Sequence, residues 1–88
     1  MPTAVSVYPN PFDRYIEIEL TCAENGDCII LLANLNNNKI IRMLGAGLEK
    51  GVNKIPLDDL QSLQLGEYQL DIKDPTGESI YETMLIKR

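Results

Sequence analysis

Two cysteines, Cys22 and Cys28, are the most reactive side chains of this sequence, and five residues separate them. Because the chain contains no histidine, two cysteines alone cannot complete a structural zinc site. In an oxidising compartment, a disulfide between them would stabilise the fold by about 2 kcal/mol, since it closes a short loop. In a reducing compartment, the two residues would instead pack as small hydrophobic side chains.

The other residues that could support catalysis lack the partners that catalysis needs. The absence of histidine removes the commonest general base and most nucleophile–base pairs. Asp58 and Asp59 are adjacent, so their carboxylates point apart, and we interpret them as the cap of a single helical turn. The segment Gly45-Ala46-Gly47 lacks the spacing and the following helix of a phosphate loop, which favours a flexible connection. The sequence therefore predicts a protein that is not an enzyme and that binds no cofactor or metal.

Composition and charge narrow the class of protein further. The sequence has 88 residues, a net charge of −5 and an apolar fraction of 44%, which together favour one small folded domain. The negative charge disfavours binding to nucleic acid or to an anionic membrane through bulk electrostatics. No apolar run reaches the ~20 residues that span a bilayer. Residues 1–10 also lack the basic and apolar regions of a signal peptide.

Alternation of apolar and polar residues predicts β-strands along almost the whole chain. In the segment YIEIEL, three apolar residues would face inward and the two glutamates between them outward. Turns are indicated by Asn25-Gly26, by Asn36–Asn38 and by Asp74–Gly77. The predicted strands are Val5–Tyr8, Tyr15–Leu20, Cys28–Ala33, Lys39–Leu44, Val52–Leu57, Gly66–Asp74 and Glu78–Lys87.

Seven short strands in a chain of 88 residues favour an all-β fold, a small Ig-like antiparallel β-sandwich. A partly open barrel is the alternative. The turn at Asn25-Gly26 would create a hairpin in which Cys22 lies opposite Cys28. In that register Leu20 faces Ile30, and one apolar side of the hairpin points inward. A disulfide would then join two neighbouring strands of one sheet.

The segment Val7–Phe12, with the sequence VYPNPF, places two prolines directly after the first strand. Pro9 and Pro11 have no backbone N–H group, so neither can continue a ladder of hydrogen bonds. They are expected to end the strand, to protect a sheet edge and to fix the direction of the chain. Tyr8 can bury its ring and keep its hydroxyl group at water.

Several further motifs follow VYPNP along the chain. They are the alternating strand YIEIEL, the segment GVNKIPLDDL and the segment LGEYQLDI, and the sequence ends in Lys87-Arg88. In this order and spacing, the sequence resembles the C-terminal sorting domain, type A, of the type IX (Por) secretion system of Bacteroidetes. It departs from that family at Asn36–Asn38, where the central turn usually has aspartate and glycine. It also departs at Gln64, which stands in place of a proline, and in its pair of cysteines.

The resemblance implies a recognition signal rather than a catalyst. It implies that residues 1–88 are the C-terminal piece of a longer secreted protein, with residues 1–7 as a linker or first strand. The rest of that protein is the passenger. Through the C-terminal domain, outer-membrane translocation components recognise the passenger in the periplasm and deliver it to the cell surface or the extracellular space. A sortase-like protease generally removes the domain, here before Tyr8, and anchors the passenger at the surface.

The residues that the resemblance assigns to recognition lie near both ends of the domain. Lys87 and Arg88 have no evident folding role, so they are the leading candidates, whereas Tyr68 and Gly66 also fit packing and backbone roles. The full set is Tyr8, Pro9, Asn10, Pro11, Gly66, Tyr68, Lys87 and Arg88.

Two other functions fit a sandwich of this composition. One is an extracytoplasmic module that binds a carbohydrate, a lipid or a protein, with Tyr15 and Tyr81 as a small aromatic patch. The chain has no tryptophan, which weakens the case for a sugar-stacking platform. The other function is an Ig-like spacer within a surface protein. Exposed edge strands would also allow a homodimer to form by strand addition.

Overall fold

The computed structural model of the protein describes residues 2–88 and consists of two antiparallel β-sheets. Its strands are β1 (Pro2–Tyr8), β2 (Ile16–Cys22), β3 (Gly26–Asn34), β4 (Lys39–Leu48), β5 (Gly51–Leu57), β6 (Gly66–Lys73) and β7 (Ser79–Lys87). Each of the seven predicted strands is present, although several begin or end at different residues. Within residues 2–88 there is no helix of the length and apolar character that crossing a membrane requires.

The strands divide into sheet A, with the order β1-β2-β5, and sheet B, with the order β4-β3-β6-β7. This three-plus-four division confirms the predicted Ig-like sandwich, and because the two sheets remain separate, the alternative of a barrel is wrong. The sheets enclose a single core. Its buried residues are Phe12, Ile16, Ile18, Leu20, Cys22, Cys28, Ile30, Leu32, Leu48, Leu57, Leu60, Tyr68, Leu70, Ile72 and Leu85.

The alternation of β2 shows why these residues form this fold. Its apolar residues Ile16, Ile18 and Leu20 are fully buried, while the two glutamates between them lie on the outer side of sheet A. Burial of each such side chain stabilises the fold by roughly 1.5–3 kcal/mol relative to exposure. A shift of one residue in the pairing would expose all of them, so this pattern fixes the register.

The connection between β2 and β3 corrects one prediction. β2 pairs with β1 and β5, whereas β3 pairs with β4 and β6, so the chain crosses between the sheets at residues 23–25. The predicted hairpin is therefore wrong. Gly26 lacks the positive φ that a two-residue hairpin turn needs. The Asn25 side chain instead accepts a hydrogen bond from the Lys50 N–H (2.8 Å), which ties the crossing to the link between β4 and β5.

The glycine-rich region also differs from its prediction. Gly45 and Gly47 lie inside β4, opposite Ile29 and Asp27 of β3, and do not form a flexible loop. β4 therefore extends to Leu48 and is the longest strand of the sandwich. The sequence suggested a loop because glycine is depleted in strands, but pairing with β3 overrides that preference.

Asp58 and Asp59 do not cap a helical turn. A turn does follow, in which the Leu63 N–H donates to the Leu60 carbonyl, but within residues 2–88 neither Asp58 nor Asp59 accepts a hydrogen bond through its carboxylate, and Asp59 has a left-handed φ of 60°. The carbonyl groups of the two residues instead accept hydrogen bonds from the Arg42 guanidinium, at 3.1 and 3.0 Å. Leu60, which follows them, is fully buried, so this segment closes the side of the sandwich between β4 and β5.

The two remaining predicted turns are confirmed. Asn36–Asn38 lie in the four-residue turn, residues 35–38, that connects β3 to β4, and Asn38 has a φ of 57°. At the β6–β7 turn, the Gly77 N–H donates to the Asp74 carbonyl (2.9 Å). The Asp74 carboxylate accepts from the Thr76 hydroxyl (2.6 Å) and from the backbone N–H groups of Thr76 and Glu78. These hydrogen bonds, the one from the Thr76 side chain foremost, lower the pKa of Asp74.

Candidate recognition site

Residues 9–12 carry the chain from the end of β1 to the last strand of sheet B. β1 ends at Tyr8, and the Tyr8–Pro9 and Asn10–Pro11 peptide bonds are both cis. The prediction that the prolines end the first strand is therefore confirmed. From there the chain lies beside the C-terminal half of β7, which is an edge strand of sheet B.

The side chain of Asn10 forms hydrogen bonds with the backbone of β7. Its amide nitrogen donates to the Met84 carbonyl (3.2 Å), and its amide oxygen accepts from the Ile86 N–H (2.9 Å). A carboxamide presents an N–H and a C=O group side by side, as a peptide group does. Asn10 therefore replaces the ladder hydrogen bonds that Pro9 and Pro11 cannot donate.

Phe12 extends this attachment with backbone hydrogen bonds. Its N–H donates to the Ile86 carbonyl (2.8 Å) and its carbonyl accepts from the Arg88 N–H (2.9 Å), which makes a parallel bridge to Lys87. We name residues 10–12 together with Met84–Arg88 the terminal clip. It covers the C-terminal half of the β7 edge and joins the YPNPF motif to the basic end of the sequence.

An aromatic pair anchors the terminal clip in the core. The edge of the Phe12 ring meets the ring of Tyr68, with centroids 6.0 Å apart and an interplanar angle of 68°. Pairs of this geometry contribute about 0.5–1.5 kcal/mol beyond the burial of their surface. The Tyr68 hydroxyl donates to the Gln64 carbonyl (2.6 Å), which satisfies the one polar atom of this buried side chain. Tyr68 is thus a packing residue that supports the clip through Phe12.

Gly66 has a backbone role beside the same edge. It begins β6, lies opposite Lys87 of β7, and has a φ of 143°. Residues with a Cβ atom rarely adopt this conformation, whereas glycine adopts it without steric cost. Gly66 therefore sets the backbone at the point where β6 meets the terminal clip.

Lys87 corrects the expectation that the basic end has no folding role. Its side chain is 3% exposed, and its ammonium group lies 2.9 Å from the Arg88 main-chain oxygen and 3.6 Å from an Asp13 carboxylate oxygen. Because this charge is buried and held by oxygen atoms, Lys87 is part of the structure of the clip. Arg88 is exposed, and its backbone N–H takes part in the bridge to Phe12.

Tyr8 lies apart from the terminal clip. Its hydroxyl group points to the outer side of sheet A, where it lies 2.9 Å from a Glu17 carboxylate oxygen and 3.1 Å from one of Glu19. The hydrogen bond to Glu17, with Glu19 beside it, raises the pKa of Tyr8 to about 12. Of the predicted recognition residues, the structure brings Asn10, Pro11, Gly66, Tyr68, Lys87 and Arg88 together at one edge.

The hydrogen bond from Tyr8 to Glu17 predicts that the stability of the fold depends on pH at alkaline values. Tyr8 has a usual pKa of 10.0 and a raised value of about 12 in the fold, so its contribution to stability is complete below pH 10 and is lost as the pH rises through 12. In a titration followed by tyrosinate absorbance, the Tyr8 step should lie near pH 12, and Glu17→Gln should lower the pKa of that step. Superimposable curves for the wild type and the variant would contradict this assignment.

Asn10 gives a second prediction. The change Asn10→Leu keeps the size of the side chain but removes both hydrogen bonds to β7, and should lower the free energy of unfolding by about 1–2 kcal/mol. The amide proton of Ile86 should then exchange faster with solvent. The Gly77 amide proton, whose hydrogen bond lies in the distant β6–β7 turn, serves as the internal control. Unchanged exchange at Ile86 would show that the Asn10 side chain does not hold the clip.

Cys22 and Cys28 are both buried free thiols, and they lie on different sheets. Burial raises the pKa of the Cys28 thiol, and the nearby Cys22 raises it further. The amide nitrogen of Asn53 lies 3.7 Å from the Cys22 sulfur atom. A disulfide between these residues would therefore connect the two sheets rather than two strands of one hairpin, and its formation in an oxidising compartment stays a prediction.

Phe12 and Asp13 belong to the site but were not recognised from the sequence. Phe12 is the only phenylalanine of the chain and directly follows Pro11. An apolar aromatic residue after two strand-ending prolines is a signal that the chain returns to the core at that point. No comparable pattern marks Asp13, because its contact with Lys87 depends on the bridge between residues that are distant in sequence.

The fold and the site define a small Ig-like β-sandwich in which the segment that follows β1 is hydrogen-bonded to the end of β7 at one edge. A family model described as the secretion system C-terminal sorting domain matches residues 6–87. The chain therefore belongs to the family of type IX secretion C-terminal sorting domains, as the resemblance of its motifs predicted. None of the curated proteins matches the chain.

Membership of this family establishes the general function. The domain is a C-terminal sorting signal for type IX secretion, and the family is known as non-catalytic. A sorting signal of this kind interacts with the secretion system and passes through the envelope to the cell surface or the extracellular space. The terminal clip contains four of the eight residues that the resemblance assigned to recognition, Asn10, Pro11, Lys87 and Arg88, and Gly66 and Tyr68 lie beside it.

Proposed function

We propose that outer-membrane translocation components of the type IX system recognise the folded domain in the periplasm at its terminal clip. The observation that supports this proposal is the hydrogen-bonded union of the YPNPF motif with the last residues of β7. One partner surface can then contact both motifs at once, although most of the sequence separates them.

The charge at the clip favours Arg88 as the contact residue. Lys87 is buried, so its ammonium group is not available to a partner. Arg88 is exposed and forms no ion pair with the residues that the structure describes. A free guanidinium group can bind a carboxylate of the machinery through two parallel hydrogen bonds.

We further propose that residues 1–88 end a longer secreted protein and that a sortase-like protease cleaves before Tyr8. The bond between Val7 and Tyr8 lies within β1, where Val7 pairs with Ile18 and Tyr8 with Glu17 of β2. β1 is an edge strand that pairs only with β2, so it can separate without breaking a pairing between any other two strands. Cleavage therefore requires local release of β1, after which the passenger is anchored at the surface.

The test is a reporter with an N-terminal export signal and residues 1–88 at its C-terminus, expressed in Bacteroidetes hosts with and without a working type IX system. We expect system-dependent delivery to the surface or the medium, together with a released fragment whose mass places its start at Tyr8. Arg88→Glu should abolish delivery without unfolding the domain, because the Arg88 side chain makes no contact that the fold requires.

Lys50→Glu is the matched control for this experiment. Lys50 is also exposed and also has its backbone N–H hydrogen-bonded, but it lies at the opposite end of the sandwich. Its charge reversal should leave delivery intact. Equal delivery of both variants would show that the machinery does not read Arg88, and periplasmic retention of the wild-type fusion in the competent host would contradict the proposal as a whole.

A further inference from the structure

The four edge strands of the sandwich differ in how they are protected against pairing with another chain. β1 is bounded by Pro2 and Pro9, which limits any added ladder to residues 3–8, and β5 contains Pro56, which cannot donate a ladder hydrogen bond. The terminal clip covers the C-terminal half of β7. β4 (Lys39–Leu48) contains no proline, and no other segment of residues 2–88 pairs with its outer edge.

The protection that β4 does have is confined to its first half. Lys39 and Arg42 carry its charges, and the register with β3 shifts where Ile40 pairs with Ala33, which is the kind of irregularity that discourages strand addition. The second half, residues 43–48 with the sequence MLGAGL, is regular and uncharged. A regular, uncharged edge strand with free backbone groups is a template for pairing with another strand.

We propose that β4 pairs antiparallel with the β4 strand of a second copy of this chain, so that the two B sheets form one continuous eight-stranded sheet. Such an interface must be self-complementary, because a two-fold axis relates its halves. A pairing centred on Leu44 meets this condition. It places Met43 of each copy opposite Gly45 of the other, and Arg42 opposite Ala46.

The side chains of this pairing complement each other in size. Met43 is 69% exposed in the single chain, whereas Gly45 presents no side chain, and a Cβ atom built on it would have no neighbour closer than 3.9 Å. The Met43 side chain of one copy can therefore lie over Gly45 of the other, and the same contact occurs twice. Apolar surface on the outer side of sheet B, formed by Leu31, Ala33 and Ile40 next to Met43, would continue across both copies.

The charges favour the same register. The same pairing directs the Lys39 end of each β4 towards Glu49 of the other copy, beyond the regular segment 43–48, so side chains of opposite charge approach each other at both ends of the interface. Glu49 is exposed, and its backbone is held by the Asn53 side chain through two hydrogen bonds of 2.9 Å. Arg42 lies opposite the neutral Ala46, so no like charges are placed directly against each other.

A net charge of −5 per chain opposes association in general, so the dimer should become more stable when salt screens that repulsion.

Analytical ultracentrifugation of residues 1–88 over a wide range of protein concentrations tests this proposal. The wild type should pass from monomer to dimer as the concentration rises. Met43→Lys should stay monomeric at concentrations where the wild type is dimeric, because it places a cation over Gly45 of the other copy and diagonally across from the second introduced lysine on the same face of the sheet. The β4 amide protons of the wild type should exchange more slowly with solvent in the dimer than in the monomer.

Val52→Lys provides the matched control, since Val52 is also an exposed apolar residue on an edge strand, β5 of sheet A. The Val52→Lys variant should dimerise as the wild type does, and circular dichroism should confirm that both lysine variants are folded. A wild type that stays monomeric at every concentration, or equal association of the two lysine variants, would overturn the proposal. Dimerisation with protection at another edge would overturn it as well. None of these outcomes depends on the secretion system, so they leave the proposed recognition at the clip untouched.

Discussion

Replacement of Phe12 by alanine is expected to lower the free energy of unfolding by about 3–5 kcal/mol, the usual cost of removing a buried phenylalanine ring. Phe12 is 1% exposed and packs against Tyr68, so its removal leaves a cavity between the terminal clip and the core. A domain of this size has a total stability on the order of 5–10 kcal/mol. Chemical denaturation monitored by circular dichroism would measure the loss directly.

Tyr15→Ala is the control for this change. Tyr15 is close in sequence and is also aromatic, but it is 52% exposed, so its truncation should change the free energy of unfolding by less than about 1 kcal/mol. The Phe12 variant should also lose delivery in the reporter assay, because the clip no longer holds the two motifs together. Equal destabilisation by the two variants would mean that Phe12 does not anchor the clip.

A second large effect is expected at Gly66. The change Gly66→Ala forces a residue with a Cβ atom to adopt a φ of 143°, which should lower the free energy of unfolding by about 1–3 kcal/mol. Space is not the cause, because the added atom would have no neighbour closer than 3.8 Å. The whole cost is therefore conformational, and thermal unfolding should show it as a lower midpoint temperature.

Gly26→Ala isolates this conformational effect. Gly26 also begins a strand, has no atom within 4 Å of the position that a Cβ atom would take, and does not have a positive φ. Its replacement should leave the stability nearly unchanged or raise it slightly, because alanine restricts the unfolded chain. Similar midpoints for the two variants would show that the backbone at Gly66 relaxes freely.

The terminal clip explains why the VYPNPF segment contains two prolines, an asparagine and a phenylalanine in this order. The two prolines end β1 and remove backbone donors, and the Asn10 side chain then supplies the hydrogen bonds that these prolines cannot. Phe12 returns to the core directly afterwards. Along the segment from sheet A to sheet B, the prolines end β1, Asn10 binds the backbone of β7, and Phe12 packs in the core. The order of these residue types in the sequence therefore matches the order of the contacts that they make.

The number of strands could be read from the sequence because alternation along a strand is a local property. In β2 and β6 every second residue is apolar and buried, and this pattern survives in any sheet that offers one face to a core. The assignment of strands to sheets could not be read in the same way. Leu20 and Ile30 would be buried both in a hairpin and in facing sheets, so the pattern alone could not separate the two arrangements.

The site was predicted less completely than the fold. Asn10, Tyr68 and Gly66 were named from motifs, but their roles depend on partners far away in sequence, such as Met84, Phe12 and Lys87. A lysine next to the end of the sequence suggested a solvent-exposed charge, because lysine is rarely buried. It is buried here because the bridge from Phe12 covers the end of β7.

The sequence by itself determined the strands, the turns at Asn36–Asn38 and Asp74–Gly77, the end of β1 before Pro9 and the family to which the domain belongs. These features depend on residue type and short-range spacing, which a linear pattern retains. Only the tertiary structure decided that β2 and β3 lie in different sheets, that Lys87 is buried and that β4 is left with an open edge. Those outcomes depend on which surfaces meet when both sheets close over a single core. They also depend on the hydrogen bonds between residues 10–12 and the end of β7, which lie far apart in the sequence.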